Sequence, residues 1–135
     1  MAVSAPDRKA LLTLVEQAQV VYLLTRYPKK QVLDDPADVA RLEGGLAEMR
    51  AAAKQLSAGV REQHSLVPWD ELAKKPDSAD LAWRRAKRVA PTVLRELVPL
   101  LEGLPEAAFF LRPEPLAKSR AASRPPRRAS ARKAR

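Results

Sequence analysis

The chain of 135 residues contains no cysteine and a single histidine, His64. Without cysteine, disulfide bonds and thiolate metal sites are excluded. One histidine also excludes a pair of catalytic histidines, or a metal site built on several imidazoles, within one chain. We therefore expect no metal and no other cofactor, and cysteine usage gives no sign of an oxidising compartment.

Long hydrophobic runs are also missing. The longest apolar stretches, such as residues 20–24, are far shorter than the about 20 residues that span a bilayer. The N-terminal residues MAVSAPDRKALL lack the order of positive charge, apolar run and small-residue cleavage site that marks a signal peptide. The sequence predicts a soluble cytoplasmic protein that does not contact a membrane.

The net charge of +9 is distributed unevenly along the chain. Residues 112–135 contain nine basic residues and one acidic residue, whereas residues 1–111 contain 16 basic and 15 acidic residues. The last segment also holds four prolines, and Leu116 is its one large apolar side chain. Such a composition cannot bury enough surface to offset the entropy of ordering. We predict a folded domain over 1–111, followed by a disordered basic tail over 112–135.

The basic tail predicts a nucleic-acid contact without sequence preference. It contains no aromatic side chain that could stack on a base. Its cations would instead displace counterions from phosphates, and binding of this kind weakens strongly with salt. The tail cations expected to contact phosphates are Arg120, Arg124, Arg127, Arg128, Arg132, Lys133 and Arg135.

Residues 1–111 show helical periodicity and no strand-like alternation. Apolar residues spaced by three and four predict a first helix over residues 6–26, with Ser4 as its N-cap. Asp35 and Pro36 open a second helix, whose apolar seam runs with the same spacing as far as Val60. Gly44 and Gly45 interrupt that seam. They indicate either a weak point or, as we favour, the close approach of another helix, including one from a second subunit.

Both tryptophans lie in the stretch VPWDELAKKPDSADLAW, residues 67–83. Pro68 can begin a short helix, and Pro76 ends it before Ser78 caps the next one. We interpret Pro68, Trp69 and Trp83 as a structural corner between helices. Pro91 and Pro99 predict a kink or a break further on. The fold class predicted is all-α, a four- to five-helix antiparallel bundle.

Two groups of residues are candidates for chemistry or binding. Arg61 and His64 lie three apart, so that an imidazole could move a proton while a guanidinium stabilises a phosphate, as in RNA cleavage. A surface pair at the end of a helix explains them better. The carboxylates Asp34, Asp35 and Asp38 likewise fit a helix start better than a metal site.

The second group is a basic cluster that follows the corner. Its members could place cations on one face of a helix and meet phosphates, although nearby acidic residues such as Asp80 could equally make it an ordinary solvated face. The cluster consists of Arg84, Arg85, Lys87 and Arg88.

Residues 7–104 resemble the HepT-like toxins of the HEPN fold. The resemblance rests on the first amphipathic helix, the aspartate-led second helix, the corner REQHSLVPWDELAKK and the closing helix LRELVPLLEGL. It implies a helical bundle that forms a homodimer and pairs with a nucleotidyltransferase-like antitoxin. It also implies metal-independent RNA cleavage by an arginine and a histidine that follow the corner, often with a nearby tyrosine.

The chain departs from the family in the segment that should carry catalysis. Residues 74–83, KKPDSADLAW, contain no arginine, histidine or tyrosine, and Pro76 interrupts the helix. Without a proton-transfer group, RNA cleavage has no general base. We therefore expect a catalytically inactive HepT-like domain that acts as a dimeric interaction module, with a tail that binds nucleic acid. The alternatives are a ribonuclease with a displaced site at Arg61 and His64, and a nucleoid-associated helical oligomer.

Overall fold

The computed structural model describes residues 4–105 and 109–113. Within them the chain forms helices and no strand, which confirms the predicted all-α class. The helices are α1 (Ala5–Leu24), α2 (Lys29–Leu33), α3 (Pro36–Gln55), α4 (Ala58–Gln63), α5 (Trp69–Leu72) and α6 (Ala79–Leu97), and a 3₁₀ turn follows at Val98–Leu101.

The three long helices α1, α3 and α6 enclose one apolar core. The backbone N–H of Ser57, just after α3, donates to the Asp7 carboxylate at the start of α1, so these two helices run antiparallel. Lys87 in the first half of α6 reaches the carbonyl of Thr25 at the end of α1. The largest fully buried side chains include Leu11, Leu14, Leu42, Met49, Leu94 and Leu97. Their burial is the main favourable term for this fold.

Each long helix begins at a polar residue whose side chain accepts a hydrogen bond from a free backbone N–H of the first turn. Ser4 accepts from the N–H of Asp7 at 3.2 Å, Asp35 from that of Ala37 at 2.9 Å, and Ser78 from that of Leu81 at 3.1 Å. Such caps satisfy donors that have no partner within the helix. The starts predicted from the sequence are confirmed at all three positions.

Helix boundaries differ from the prediction in the second half of the long seam. The helix predicted as far as Val60 ends at Gln55, because Leu56 adopts an extended conformation with a ψ of 143°. Ser57 then caps the separate helix α4. The short helix α2 was not predicted at all.

Pro91 and Pro99, the two prolines predicted to disturb the last helix, have different positions in the structure. Helix α6 continues across Pro91, so of the two outcomes predicted there the chain does not break, and the kink stays a prediction. Ala90 and Val93, on either side of Pro91, are fully buried, although proline removes one hydrogen bond of the helix. Pro99 lies instead at the start of the 3₁₀ turn, where its missing N–H has no helical partner to lose.

The paired glycines of α3 have different surroundings. A Cβ on Gly45 would lie 2.6 Å from Cγ1 of Val21, whereas a Cβ on Gly44 would meet nothing within 4 Å. The predicted close approach of another helix is therefore confirmed at Gly45, and that helix is α1 of the same chain.

Candidate nucleic-acid interface

The predicted basic cluster lies on the first half of α6, whose start is set by the Ser78 cap. Arg84 and Arg88 are four residues apart, so they lie one turn from each other on the helix. Their side chains are 65% and 67% exposed. Both guanidinium groups therefore remain accessible to a ligand in solution.

Each cation of the cluster has a partner within the bundle. Arg84 Nε lies 3.0 Å from an oxygen of Asp80, and Arg88 pairs with Glu71. Arg85 donates to the carbonyl oxygen of Lys74. These contacts orient the side chains at the surface, but a carbonyl partner leaves a positive charge uncompensated.

Asp80 is shared between two cations. Lys29, which was not predicted as part of the cluster, lies 2.5 Å from one carboxylate oxygen while Arg84 contacts the other. The hydrogen bond from Lys29, together with the charges of both cations, holds the pKa of Asp80 below its usual value despite partial desolvation. Asp80 therefore stays ionised, yet its single negative charge faces two positive ones.

The surface around the cluster keeps an excess of positive charge. Residues 70–88 contain six basic and four acidic residues, and Lys29 adds a further cation. This surface, formed by Lys29 and the basic residues of 74–88, is called the α6 basic face below. Its surplus of three positive charges is smaller than that of the tail, but four of its cations, Arg84, Arg85, Lys87 and Arg88, lie on one helix.

Trp83 lies beside the cations of the α6 basic face, and its ring is partly covered. Its ring is half-buried, and the ammonium group of Lys87 lies over it at 5.0 Å from the centroid. This distance is typical of a cation–π contact. The indole Nε1 is buried and has no hydrogen-bond partner among the described residues. The face therefore offers exposed cations, and Lys87 partly covers the half-buried ring of Trp83.

The corner itself is held by Trp69. Its indole Nε1 donates to the backbone carbonyls of Arg61 at 3.0 Å and His64 at 3.1 Å. The ring is half-buried and packs against the core, and Pro68 precedes it as the N-cap of α5. Because Trp69 donates to the last carbonyls of α4, it ties the start of α5 to the end of α4.

Arg61 and His64 lie in the last turn of α4 and just after it, where His64 is the C-cap residue. Both side chains are half-buried. The contacts described for this pair involve its backbone, because the carbonyl oxygens of Arg61 and His64 accept hydrogen bonds from Trp69. The pair does lie at the end of α4, and its interpretation as an ordinary surface pair stays a prediction.

A cleft that sequence reasoning missed lies between α3 and the loop after α5. It has a volume of about 440 Å³, and Gly44, Arg50, Lys75 and Asp77 are among its lining residues. A Cβ on Gly44 would meet nothing within 4 Å, so this glycine borders the open space. The pair Gly44–Gly45 was the one signal in the sequence, and it indicated a helix contact rather than a cleft.

The three aspartates weighed as metal ligands separate in the structure. Asp35 caps α3, Asp34 pairs with Lys30 at 2.9 Å, and Asp38 pairs with Arg41 at 2.6 Å. Across residues 4–105 and 109–113, no three histidine, cysteine, aspartate or glutamate side chains are grouped so as to hold a metal ion.

One buried carboxylate, that of Asp7, links two helices of the bundle. Asp7 accepts hydrogen bonds from the backbone N–H of Ser57 at 2.9 Å and from its hydroxyl at 2.8 Å. These bonds, the backbone one foremost, hold the pKa of Asp7 below its usual value against the effect of desolvation. The sequence contained no signal for this contact, since the two residues are 50 positions apart.

The tail predicted to bind nucleic acid lies outside the described residues from position 114 onward, whereas the boundary drawn at residue 111 lies within the described segment 109–113. The part outside includes Arg120, Arg124, Arg127, Arg128, Arg132, Lys133 and Arg135. Their contacts with phosphates, like those of the α6 basic face, stay predictions.

None of the helices in the described part of the chain combines the length and the apolar character needed to cross a bilayer. The chain matches no protein-family model, and neither a curated protein nor a solved structure shows significant similarity to it. The resemblance to HepT-like toxins therefore rests on the sequence features given above, and the comparisons leave it a prediction.

Proposed function

We propose that this chain is a non-catalytic, HepT-like helical module that self-associates and binds nucleic acid without sequence preference. The tail supplies most of the affinity in this proposal, and the α6 basic face supplies a second, fixed contact. Its ligand is the phosphate backbone of DNA or RNA, recognised through charge.

The observation that carries the proposal is the division of charge along the chain. Residues 112–135 hold a surplus of eight positive charges, whereas residues 1–111 hold a surplus of one. A tail of this kind, appended to a nearly neutral bundle, concentrates the field of the protein at one end. The α6 basic face supports the proposal because Arg84 and Arg88 are exposed and oriented.

The absence of a proton-transfer group after the corner argues against catalysis. In the segment 74–83 the ionisable residues are Lys74, Lys75, Asp77 and Asp80. Asp80 is bound by Lys29 and Arg84, and its pKa is lowered, so it is a weak base near neutral pH.

The test is equilibrium binding of labelled duplex DNA and single-stranded RNA over a series of salt concentrations. The first variant is the full-length chain with its seven predicted tail contacts changed to glutamine, called the tail-neutral variant. The plot of log affinity against log salt should flatten by about 0.7–0.9 for each phosphate contact that is lost. An unchanged slope would show that the tail does not bind phosphates.

A second variant tests the α6 basic face. Arg84→Gln/Arg88→Gln should reduce the slope by about 1–2 and weaken DNA and RNA binding to a similar extent. The matched control is Arg8→Gln/Lys9→Gln, which removes two exposed cations at the start of α1. Equal losses of affinity in the two double variants would show that Arg84 and Arg88 act only through the net charge of the protein.

The same reactions decide between this proposal and a displaced ribonuclease site. Incubation with RNA, followed by gel electrophoresis, should show intact RNA for both the wild type and His64→Ala. Cleavage by the wild type that His64→Ala abolishes would replace the proposed function with RNA hydrolysis at Arg61 and His64.

A further inference from the structure

The half-buried ring of Trp69 lies between two shallow clefts on the surface of the corner. One cleft, of about 400 Å³, is lined in part by Pro68 and Asp70, and the other, of about 260 Å³, is lined in part by Glu62. Leu66, in the loop between α4 and α5, is 72% exposed. Because the indole Nε1 of Trp69 already donates to backbone carbonyls, the ring offers a ligand only apolar surface.

This corner is acidic, although the chain as a whole is basic. Residues 56–73 contain three acidic residues and one arginine, in a chain with a net charge of +9. Glu71 pairs with Arg88. Glu62 and Asp70 are exposed, and neither forms an ion pair with any residue that the structure describes. The surface therefore fits a ligand that is both apolar and cationic.

We propose that residues 124–128 of the same chain, RPPRR, dock on the surface formed by Glu62, Leu66, Trp69 and Asp70, called the Trp69 corner below. The prolines pack on the indole, and the arginines on either side of them pair with the carboxylates. Proline-rich segments bind aromatic surfaces in this way, because proline restricts the backbone in advance and less entropy is lost on binding. Arginine matches a carboxylate with two parallel hydrogen bonds.

The sequence and length of the tail favour this segment as the occupant. Residues 125 and 126 are the one pair of adjacent prolines in the chain, and arginine flanks them on both sides. Eleven residues separate them from Pro113, where the described chain ends, and twelve steps of the chain span at most about 40 Å. A folded chain of about 110 residues has a radius of gyration of about 13 Å, so the segment can reach any side of the bundle. Tethering also raises its effective concentration into the millimolar range, above that of a separate partner.

Docking would withhold part of the tail from nucleic acid. Arg124, Arg127 and Arg128 are three of the seven tail cations proposed to contact phosphates, and on the Trp69 corner they face carboxylates instead. Nucleic acid and the Trp69 corner therefore compete for the same arginines. This consequence rests on the proposed function, whereas the docking itself does not.

The experiment records the indole N–H signals of the nitrogen-15-labelled full-length protein by NMR, without nucleic acid. The chain has two tryptophans, and Trp83, which lies outside the Trp69 corner, serves as the internal control. Trp83→Phe assigns the two signals. In full-length Pro125→Ala/Pro126→Ala and in the tail-neutral variant, the signal of Trp69 should move while that of Trp83 stays in place.

A matched control changes the other two prolines of the tail. Pro113→Ala/Pro115→Ala should leave both indole signals where the wild type has them. An unmoved Trp69 signal in the tail-neutral variant, or equal shifts of Trp69 and Trp83, would overturn the docking and leave the corner to a different ligand. A difference from the wild type that grows with protein concentration would assign the segment to another copy, and would overturn docking within one chain.

Binding of labelled duplex DNA tests the competition. Glu62→Gln/Asp70→Asn releases the arginines and should strengthen binding about threefold or more relative to Glu16→Gln/Glu48→Gln. That control removes two exposed carboxylates from α1 and α3 and changes the net charge by the same amount. Equal affinities of the two double variants would overturn the competition.

The tail-neutral variant separates this inference from the proposed function. If its Trp69 signal moves while its nucleic-acid affinity equals that of the wild type, the docking stands and the tail assignment fails. If its nucleic-acid binding weakens while its Trp69 signal stays in place, the proposed function stands and the docking fails.

Discussion

Where α1 meets α3, the helices touch through small and branched apolar side chains. Leu14 and Val21 are fully buried there, and Gly45 is buried as well. The first half of α6 has a buried side of alanine and valine, but its outer surface is held by charged groups. On that surface Arg84, Arg88 and Lys29 contact carboxylates while remaining partly in water.

The apolar α1–α3 contact and the charged outer surface of α6 contribute very differently to the stability of the bundle. Burying one large apolar side chain contributes about 1.5–3 kcal/mol, whereas an exposed ion pair contributes about 0.2–1 kcal/mol. The α1–α3 contact can therefore hold the bundle together while the outer residues of α6 change with little cost. The cations of such a surface can contact a ligand without a large loss of folding stability.

The largest expected effect comes from the centre of the α1 packing. Leu14→Ala removes a side chain that is 0% exposed, so it should lower the free energy of unfolding by about 2–5 kcal/mol. Urea unfolding followed by circular dichroism measures the loss. The control Leu81→Ala, at an exposed position, should stay within about 0.5 kcal/mol of the wild type. Equal losses at both positions would contradict the comparison.

The glycine pair gives a sharper test of the same contact. Gly45→Ala pushes a Cβ to within 2.6 Å of buried Val21, and it should destabilise the protein by about 1–3 kcal/mol. Gly44→Ala meets nothing within 4 Å and should raise stability by about 0.5–1 kcal/mol through better helix propensity. Thermal unfolding of the two variants measures the difference. A stabilising Gly45→Ala would show that α1 can move away without cost.

Most of the bundle could be predicted from local patterns. The three long helices show apolar spacing, and Ser4, Asp35 and Ser78 are residue types that cap helices. The break after Gln55 could not be predicted, because Leu56 and Val60 continue the spacing of α3. What favours the break is the contact between Asp7 and Ser57, and no local pattern reports a contact across 50 residues.

The candidate site shows the same limit. Arg84, Arg85, Lys87 and Arg88 could be identified from their clustering in the sequence. Their surroundings could not, because Lys29 reaches Asp80 from a helix 51 residues earlier. Trp83 was assigned to the corner between helices. Its contact with Lys87, four residues later on the same helix, was not predicted, because a count of charges does not consider aromatic partners.

The contact between Asp7 and Ser57 should show its effect through pH. Ser57→Ala removes the N-cap of α4 and one hydrogen bond to Asp7, and at neutral pH the lost cap alone should cost about 1 kcal/mol. The pKa of Asp7 is lower in the folded state, so its contribution is present above the unfolded pKa and is lost as pH falls through the folded value.

The difference between the wild type and Ser57→Ala should therefore shrink at acidic pH, below the usual range of aspartate. Urea unfolding at several pH values between neutral and strongly acidic measures it. Ser78→Ala is the matched control, since it removes the cap of α6 but touches no buried carboxylate. Its cost should change less with pH. If the loss of unfolding free energy in Ser57→Ala did not change with pH, the hydrogen bond from the Ser57 hydroxyl would not lower the pKa of Asp7.

The smallest expected effect on stability comes from the ion pair between Arg88 and Glu71. Arg88→Gln and Glu71→Gln each break the same pair, whose arginine is 67% exposed, and each should cost about 0.2–1 kcal/mol. Their effects on nucleic-acid binding should be opposite. Arg88→Gln removes a cation and should reduce the salt dependence by about 0.9 for duplex DNA. Glu71→Gln removes an anion, releases Arg88 from its partner and should strengthen binding. Because the two variants lose the same contact, an equal weakening of binding in both would trace it to altered structure and would remove the α6 basic face from the interface.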